Sequence, residues 1–200
     1  MFEQLTIKNF KSITEQTMEF GRVNVVIGAN GMGKSTLLEA IGLVAANSDL
    51  EIDLNKLSQA GIRVARPDLM RNSFLGKPTA KNIEIVLSGY GTSNRYIISP
   101  KDTDFVMSPW KVEIKQQKTN LSIFDNAKFI ATLSKYEIYS PMLDALRGLS
   151  QASARFPLGL HGEDFDVILN MMPEDKKQEV VKYACECISW MDSVAYDEND

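Results

Sequence analysis

The chain has 200 residues, 44% of them hydrophobic and 24% charged, with 22 Lys and Arg against 26 Asp and Glu for a formal net charge of −4. That is the composition of one sizeable globular domain, or of a lobe of a larger one. With only 12 Gly and 7 Pro it excludes a low-complexity or collagen-like chain. A single histidine argues against multi-histidine metal sites, and the acidic balance against whole-molecule attraction to nucleic acid.

The opening MFEQLTIKNFKS has no apolar core of a signal peptide, and no apolar run reaches the roughly 18 residues of a spanning helix. A cytoplasmic protein without membrane association is therefore expected. Gln4–Phe10 alternates Leu5 and Ile7 with Thr6 and Lys8, which predicts a half-buried strand, and Gln16–Phe20 can pair with it in antiparallel fashion. Val23–Ile27 (VNVVI) is almost wholly apolar and β-branched, the pattern of a strand covered on both faces. It runs into glycines. From Lys34 to Asn47 the period changes, with Leu37, Ile41 and Val44 on one face and Leu38 and Ala45 beside them, predicting an amphipathic helix.

Residues 48–82 read as a polar excursion with a short helix over Asp53–Ala60 closed by Gly61. Ile83–Leu87 and Arg95–Ser99 flank SGYGTSN as a strand pair, and Trp110, Val112 and Ile114 alternate with Lys111, Glu113 and Lys115 as a further strand. Lys128–Leu133 and Tyr136–Tyr139 are also read as strands. Ser140-Pro141 opens a helix that Gly148 would close, Phe165, Ile168, Leu169 and Met172 give another helical face, and Pro173 opens a third helix with Val180, Ala184, Cys187, Ile188 and Met191 on one side. The order predicts an α/β lobe over residues 1–140 followed by a helical lobe over 141–200.

Between the predicted strand and helix, Gly28-Ala29-Asn30-Gly31-Met32-Gly33-Lys34-Ser35 fits G-x-x-x-x-G-K-[ST] without a mismatch. Each residue type has a reason. Glycines let successive backbone N–H groups turn inward into an anion-binding nest. The helix start aims its free N–H groups and dipole at the same phosphates. Lys34 would reach the β- and γ-phosphates, Ser35 would ligate Mg²⁺, and Thr36 lies toward the α-phosphate, which makes ATP and Mg²⁺ the expected cofactors.

The surroundings of this loop narrow its class. LTIKNFKSI followed by VNVVIGANGMGKSTLLEAI resembles the ABC-type ATPases of the SMC, RecF and OLD kind. YSPMLDALRG with PLGLHGEDFDVILNMMPEDKK is similar to the middle of bacterial AAA-type ATPases related to OLD proteins. The resemblance implies an α/β P-loop NTPase fold, an ABC-type ATP-binding lobe with an antiparallel β element followed by a helical lobe. It also implies an ATP-driven switch in DNA processing, DNA repair or anti-phage defence. Such proteins dimerise around their ATP sites, with DNA or a nuclease or effector as partner.

The family's Walker B strand is not found. After Gly28 the acidic pairs are Glu163-Asp164, Glu174-Asp175 and Asp197-Glu198, none following an apolar strand. Leu87-Ser88-Gly89-Tyr90-Gly91 imitates the signature motif but reads as a hairpin loop. No catalytic residue is identified. The expectation is the N-terminal part of a longer ATPase that binds ATP without hydrolysing it efficiently by itself.

Other readings keep their place. A P-loop kinase of small molecules would release a phosphorylated acceptor, and a nucleotide-sensing module would bind without turnover. Lys11 follows the N-F dipeptide where the resembled family has a basic residue near nucleotide phosphates, and a solvated turn lysine is the competing reading. Arg63, Arg66, Arg71, Lys77 and Lys81 form a basic stretch that either faces DNA or is a solvated loop. His161 is read as a loop residue, Cys185 and Cys187 as reduced, at least half-buried thiols, and Trp110, Tyr136 and Tyr139 as core or rim aromatics.

Overall fold

The computed structural model describes residues 1–47, 50–52, 54–63, 67–72, 82–101, 108–117, 123–146 and 158–188. Along the chain run β1 (Phe2–Phe10), β2 (Ile13–Glu19), α1 (Lys34–Ala45), β3 (Glu51–Ile52), α2 (Leu54–Gln59) and α3 (Pro67–Met70). There follow β4 (Ile83–Gly89), β5 (Thr92–Pro100), β6 (Trp110–Gln117), α4 (Ile123–Leu133), α5 (Leu143–Leu146), α6 (Phe165–Met171) and α7 (Glu174–Cys187). The chain divides into two compact units, Met1–Ile138 and Tyr139–Asp200.

In the first unit six strands form one sheet in the order β2-β1-β4-β5-β6-β3, and every pair in it is antiparallel. The period-2 patterns decide its faces. Ile83, Ile98 and Val112 lie side by side across three strands, as do Ile7, Ile85 and Tyr96, and all of them are buried. The opposite face is polar. There Glu84 takes the guanidinium of Arg95 at 2.7 Å, Lys8 meets Glu15 at 2.6 Å, and Ser88 and Ser93 share a hydrogen bond of 2.9 Å. Leu37, Ala40, Ile41, Leu43 and Val44 of α1 join the core, and so do Phe129 and Leu133 of α4. The Phe129 ring meets Phe2 edge-on at 5.2 Å.

LSGYG is a hairpin, as its flanking strands imply. The turn is reduced to Tyr90 and Gly91, both with positive φ (54° and 71°), which matches the twist of the strands they join.

Several elements differ from the sequence expectation. Val23–Ile27 is not a strand: Val23, Val25 and Ile27 are 81%, 79% and 89% exposed, and none of the sheet's pairings includes them. Its pattern asks for neighbours on both sides, and the described strands are satisfied by one another.

Lys128–Leu133 is helical. Phe129 and Leu133 are buried while Ile130 is 55% exposed, a spacing of four that a short apolar run cannot distinguish from a strand. Over Tyr136–Tyr139 the alternation is real, since Tyr136 and Ile138 pack on the core, but no ladder forms. In α1 the buried surface is wider than one stripe: Glu39 is buried and Leu38 is exposed.

In the second unit the helix after Ser140-Pro141 begins only at Leu143; Gly148 and Met191 lie outside the described residues. Pro173 caps α7 as expected, yet no residue of α6 or α7 is buried and Cys187 is exposed.

Candidate phosphate-binding site

The loop before α1 takes its shape from two glycines. Gly31 and Gly33 have φ of 82° and 88°, a left-handed conformation that a side chain would strain. A Cβ on Gly33 would also stand 3.2 Å from the Ser12 hydroxyl. Gly33 is the residue before the helix, and its carbonyl accepts the first helical bond from Leu37 N at 3.0 Å. The N–H groups of the first helical turn are therefore left to face whatever lies beyond the loop.

A cavity of about 760 Å³ opens there, within the size range of small-molecule sites. It is lined by Asn30, Gly31, Gly33, Lys34, Ser35 and Thr36 of the loop and helix start, together with Lys11, Ser12, Arg63 and Leu69. Lys34 Nζ donates to the carbonyls of Gly28 at 2.7 Å and Ala29 at 2.8 Å, folding the loop around its own ammonium.

Lys11 and Ser12 belong to the turn between β1 and β2. Asn9 and Lys11 both have left-handed φ, 60° and 48°. The end of α3 and the residues just after it fix that turn: Lys11 N donates to Met70 O at 2.8 Å, and Asn72 Nδ2 donates to Lys11 O at 2.9 Å. The side chain of Lys11 turns toward α1, where Nζ donates to Glu39 Oε2 at 2.8 Å. Arg63 arrives at the same carboxylate from just beyond α2, its Nε donating to Oε1 at 2.8 Å and its backbone N at 3.3 Å.

Glu39 has a side chain only 4% exposed, against 15% for Lys11 and 72% for Arg63. Burial alone would push the Glu39 carboxyl up. The hydrogen bonds from Arg63 and Lys11 overturn this and hold it below the usual carboxylate value, while Glu39 raises Arg63 in return.

Six of the nine residues predicted for the phosphate loop therefore line one cavity. Gly28 and Ala29 contribute carbonyls to Lys34 instead, and Met32 points outward, 75% exposed. The Ser35 side chain, a hard oxygen donor of the kind magnesium takes, is among the lining residues. Among the described residues no group of three or more His, Cys, Asp or Glu could hold a metal by itself.

The sequence reading did not assign Ser12, Glu39 or Leu69, and it treated Arg63 as part of a basic stretch. One signal was present: Glu39 is the one ionised side chain between Leu37 and Val44, and a carboxylate on a buried helix face needs partners. Arg66, Lys77 and Lys81 of the basic stretch lie outside the described residues, and Arg71 bridges to Phe10.

Other candidates are structural. His161 sits in a loop, its ring Nδ1 2.9 Å from Ser140 O, while its backbone N donates to Glu163 at 2.9 Å. Trp110 is buried, and Tyr136 is half-buried with its hydroxyl donating to Leu38 O at 3.0 Å. Glu163-Asp164 lies in that same loop and Glu174-Asp175 in the first turn of α7, so neither follows a strand; Asp197-Glu198 is outside the described residues.

A family described as "AAA domain" matches residues 4–184. The chain is 52% identical over 44 residues to a DNA replication and repair protein RecF of Magnetococcus marinus, covering 22% of this chain and 12% of that relative. It is 30% identical over 122 residues to a protein of the same name from Picosynechococcus sp., covering 52% of this chain and 31% of the relative. The chain thus spans less than a third of the length of these curated relatives.

Proposed function

This chain belongs to the AAA domain family, and from that premise we propose that it is the ATP-binding portion of a RecF/SMC-like ATPase acting in DNA processing or repair. The observation that carries the reading is the nest of Gly31 and Gly33 at the start of α1, with Lys34, Ser35 and Thr36 lining the cavity it faces. In this reading backbone N–H groups of residues 28–36 hold the polyphosphate, Lys34 exchanges its loop carbonyls for phosphate oxygens, and Ser35 supplies a magnesium ligand. Residues 1–140 are the ATP-binding lobe and 141–200 begin a helical lobe.

Hydrolysis requires more than a cradle: a group must orient water, and charge must be placed where it develops. No carboxylate among the described residues lines the cavity except through Lys11 and Arg63. The chain alone therefore binds ATP with negligible turnover. The longer protein supplies the missing carboxylates and dimerises around its ATP sites. The exposed apolar run Val23–Ile27 supports such completion, since it has the composition of a covered strand without a strand partner among the described residues.

Calorimetric titration with Mg-ATP and phosphate release measured on the same sample test both halves. Binding without release is expected. Release at ordinary enzyme rates that Lys34→Ala abolishes would show that the catalytic group lies within these 200 residues, and transfer to a small-molecule acceptor would make the protein a kinase.

A further inference from the structure

Lys11 and Arg63 line the same cavity as Lys34, yet neither is free to choose its place. They come from segments far apart in the sequence and converge on the two oxygens of one carboxylate, Lys11 on Oε2 and Arg63 on Oε1. That carboxylate, Glu39, stands on the second turn of α1, the helix whose first turn carries Lys34, Ser35 and Thr36. The same rigid element thus carries the phosphate loop's side chains and the anchor for the other two cations. Without the anchor, two cations lining one cavity would repel each other, and the 72% exposed Arg63 would lose the bonds its backbone and guanidinium make to Glu39.

We infer that Glu39 is a positioning residue of the phosphate site: it holds Lys11 and Arg63 in place at the cavity, so that a polyphosphate meets two further cations besides Lys34. The inference rests on the reading of the cavity as a nucleoside-triphosphate site. Its logic is preorganisation. Each long basic side chain loses rotamer freedom when it contacts a ligand, and Glu39 imposes that loss before the ligand arrives.

A simple count of charge makes the opposite claim. Glu39 is an anion near an anionic ligand, and removing its charge should tighten binding. The sign of the effect therefore decides between the two accounts.

The experiment is calorimetric titration of Mg-ATP into the 200-residue chain, its Glu39→Gln variant, the Lys11→Ala/Arg63→Ala variant and the triple variant, with circular dichroism confirming that each is folded. Glu39→Gln is expected to weaken ATP binding about tenfold, the scale of one hydrogen bond to a charged group. In the Lys11→Ala/Arg63→Ala background the same exchange should no longer weaken it, because nothing remains to be positioned.

Equal weakening in both backgrounds would show a merely structural role and overturn the inference, as would tighter binding by the single variant. If Glu39→Gln does not fold, Arg63 provides the same test from the exposed side. Arg63→Lys keeps the charge and loses the fork that fits Glu39, so it should weaken ATP binding nearly as much as Arg63→Ala. Full rescue by lysine would overturn the inference. Failure of the unmodified chain to bind Mg-ATP would instead overturn the nucleotide reading, and the inference with it.

Discussion

Lys34 and Gly28 are bonded across the phosphate loop, the lysine's Nζ donating to the glycine's carbonyl at 2.7 Å. A second bond of 2.8 Å to Ala29 leaves the ammonium largely satisfied by its own loop. In the proposed nucleotide site, phosphate oxygens would have to displace two carbonyls, and a bond between two ionised groups is stronger than one from the ammonium to a neutral carbonyl.

Replacing Lys34 by alanine should remove tight ATP binding while leaving the fold intact, since its contacts are to loop carbonyls and not to the core. Mg-ATP at about 100 times its dissociation constant should stabilise the unmodified chain by about 2.7 kcal/mol, and at about 2–4 °C per kcal/mol that is a melting shift of roughly 5–10 °C. Lys34→Ala should show none of this shift, and Ser35→Ala should lose its magnesium dependence. A normal shift in folded Lys34→Ala would remove the lysine from the site.

At the end of β4, Gly89 leaves no room for a methyl group. A Cβ there would lie 2.5 Å from the carbonyl oxygen of Met1 and 2.7 Å from Cα of Phe2, both of them backbone atoms, beside an irregularity in the β1–β4 register. Gly89→Ala should therefore cost about 1–3 kcal/mol, seen as a lower urea midpoint at an unchanged slope. An unaltered midpoint would mean that the first residues of β1 can move aside freely.

Acid should uncouple the Lys11–Glu39–Arg63 cluster. Its carboxyl sits below the ordinary value of 4.5 in the folded state, so the stability it contributes is complete above that value and is lost as pH falls through the lower, folded one. Glu39→Gln should be less stable than the unmodified chain at neutral pH, with the gap narrowing below pH 4.5. Melting temperatures of both proteins across that range measure it, and a gap independent of pH would show that ionised Glu39 contributes nothing.

Ile27 offers a test of the exposed run. At 89% exposure, Ile27→Ala should change the stability of this chain by less than about 0.5 kcal/mol, whereas truncating a covered isoleucine costs about 2–5 kcal/mol. A large loss in a thermal or urea melt would mean that the side chain is covered in solution.

The strands with strict alternation were legible because period 2 records which face is buried: Leu5 and Ile7, Ile83 through Leu87, and Trp110 with Val112 all point where the pattern says. The glycine turn and α1 were legible for the same local reasons. Phe129 and Leu133 were not, since an apolar run of that length suits a helix or a strand equally. Val23–Ile27 carries the pattern of a covered strand into an environment where the described strands pair among themselves. The Lys11–Glu39–Arg63 cluster at the cavity was hidden for a different reason. Lys11, Glu39 and Arg63 meet only after the sheet, α1 and the segment beyond α2 are assembled, and no spacing rule links them.

The pairing of β1 carries a consequence for the order in which the chain acquires its structure. Ile7 meets Gln16 across a tight turn, and Ile85 meets Tyr96 across the Tyr90-Gly91 hairpin, but Ile7 also meets Ile85 from the far end of the excursion that contains the phosphate loop. Local hairpins close in about 1–10 μs, whereas a long loop closes only against a larger entropic barrier. Two ribbons should therefore form early and dock late, with the β1–β4 seam as the committing event. The glycine loop before α1 lies inside the circuit that this seam closes. Pulsed hydrogen exchange during refolding should find the amides bonded between β4 and β5 protected before those bonded between β1 and β4.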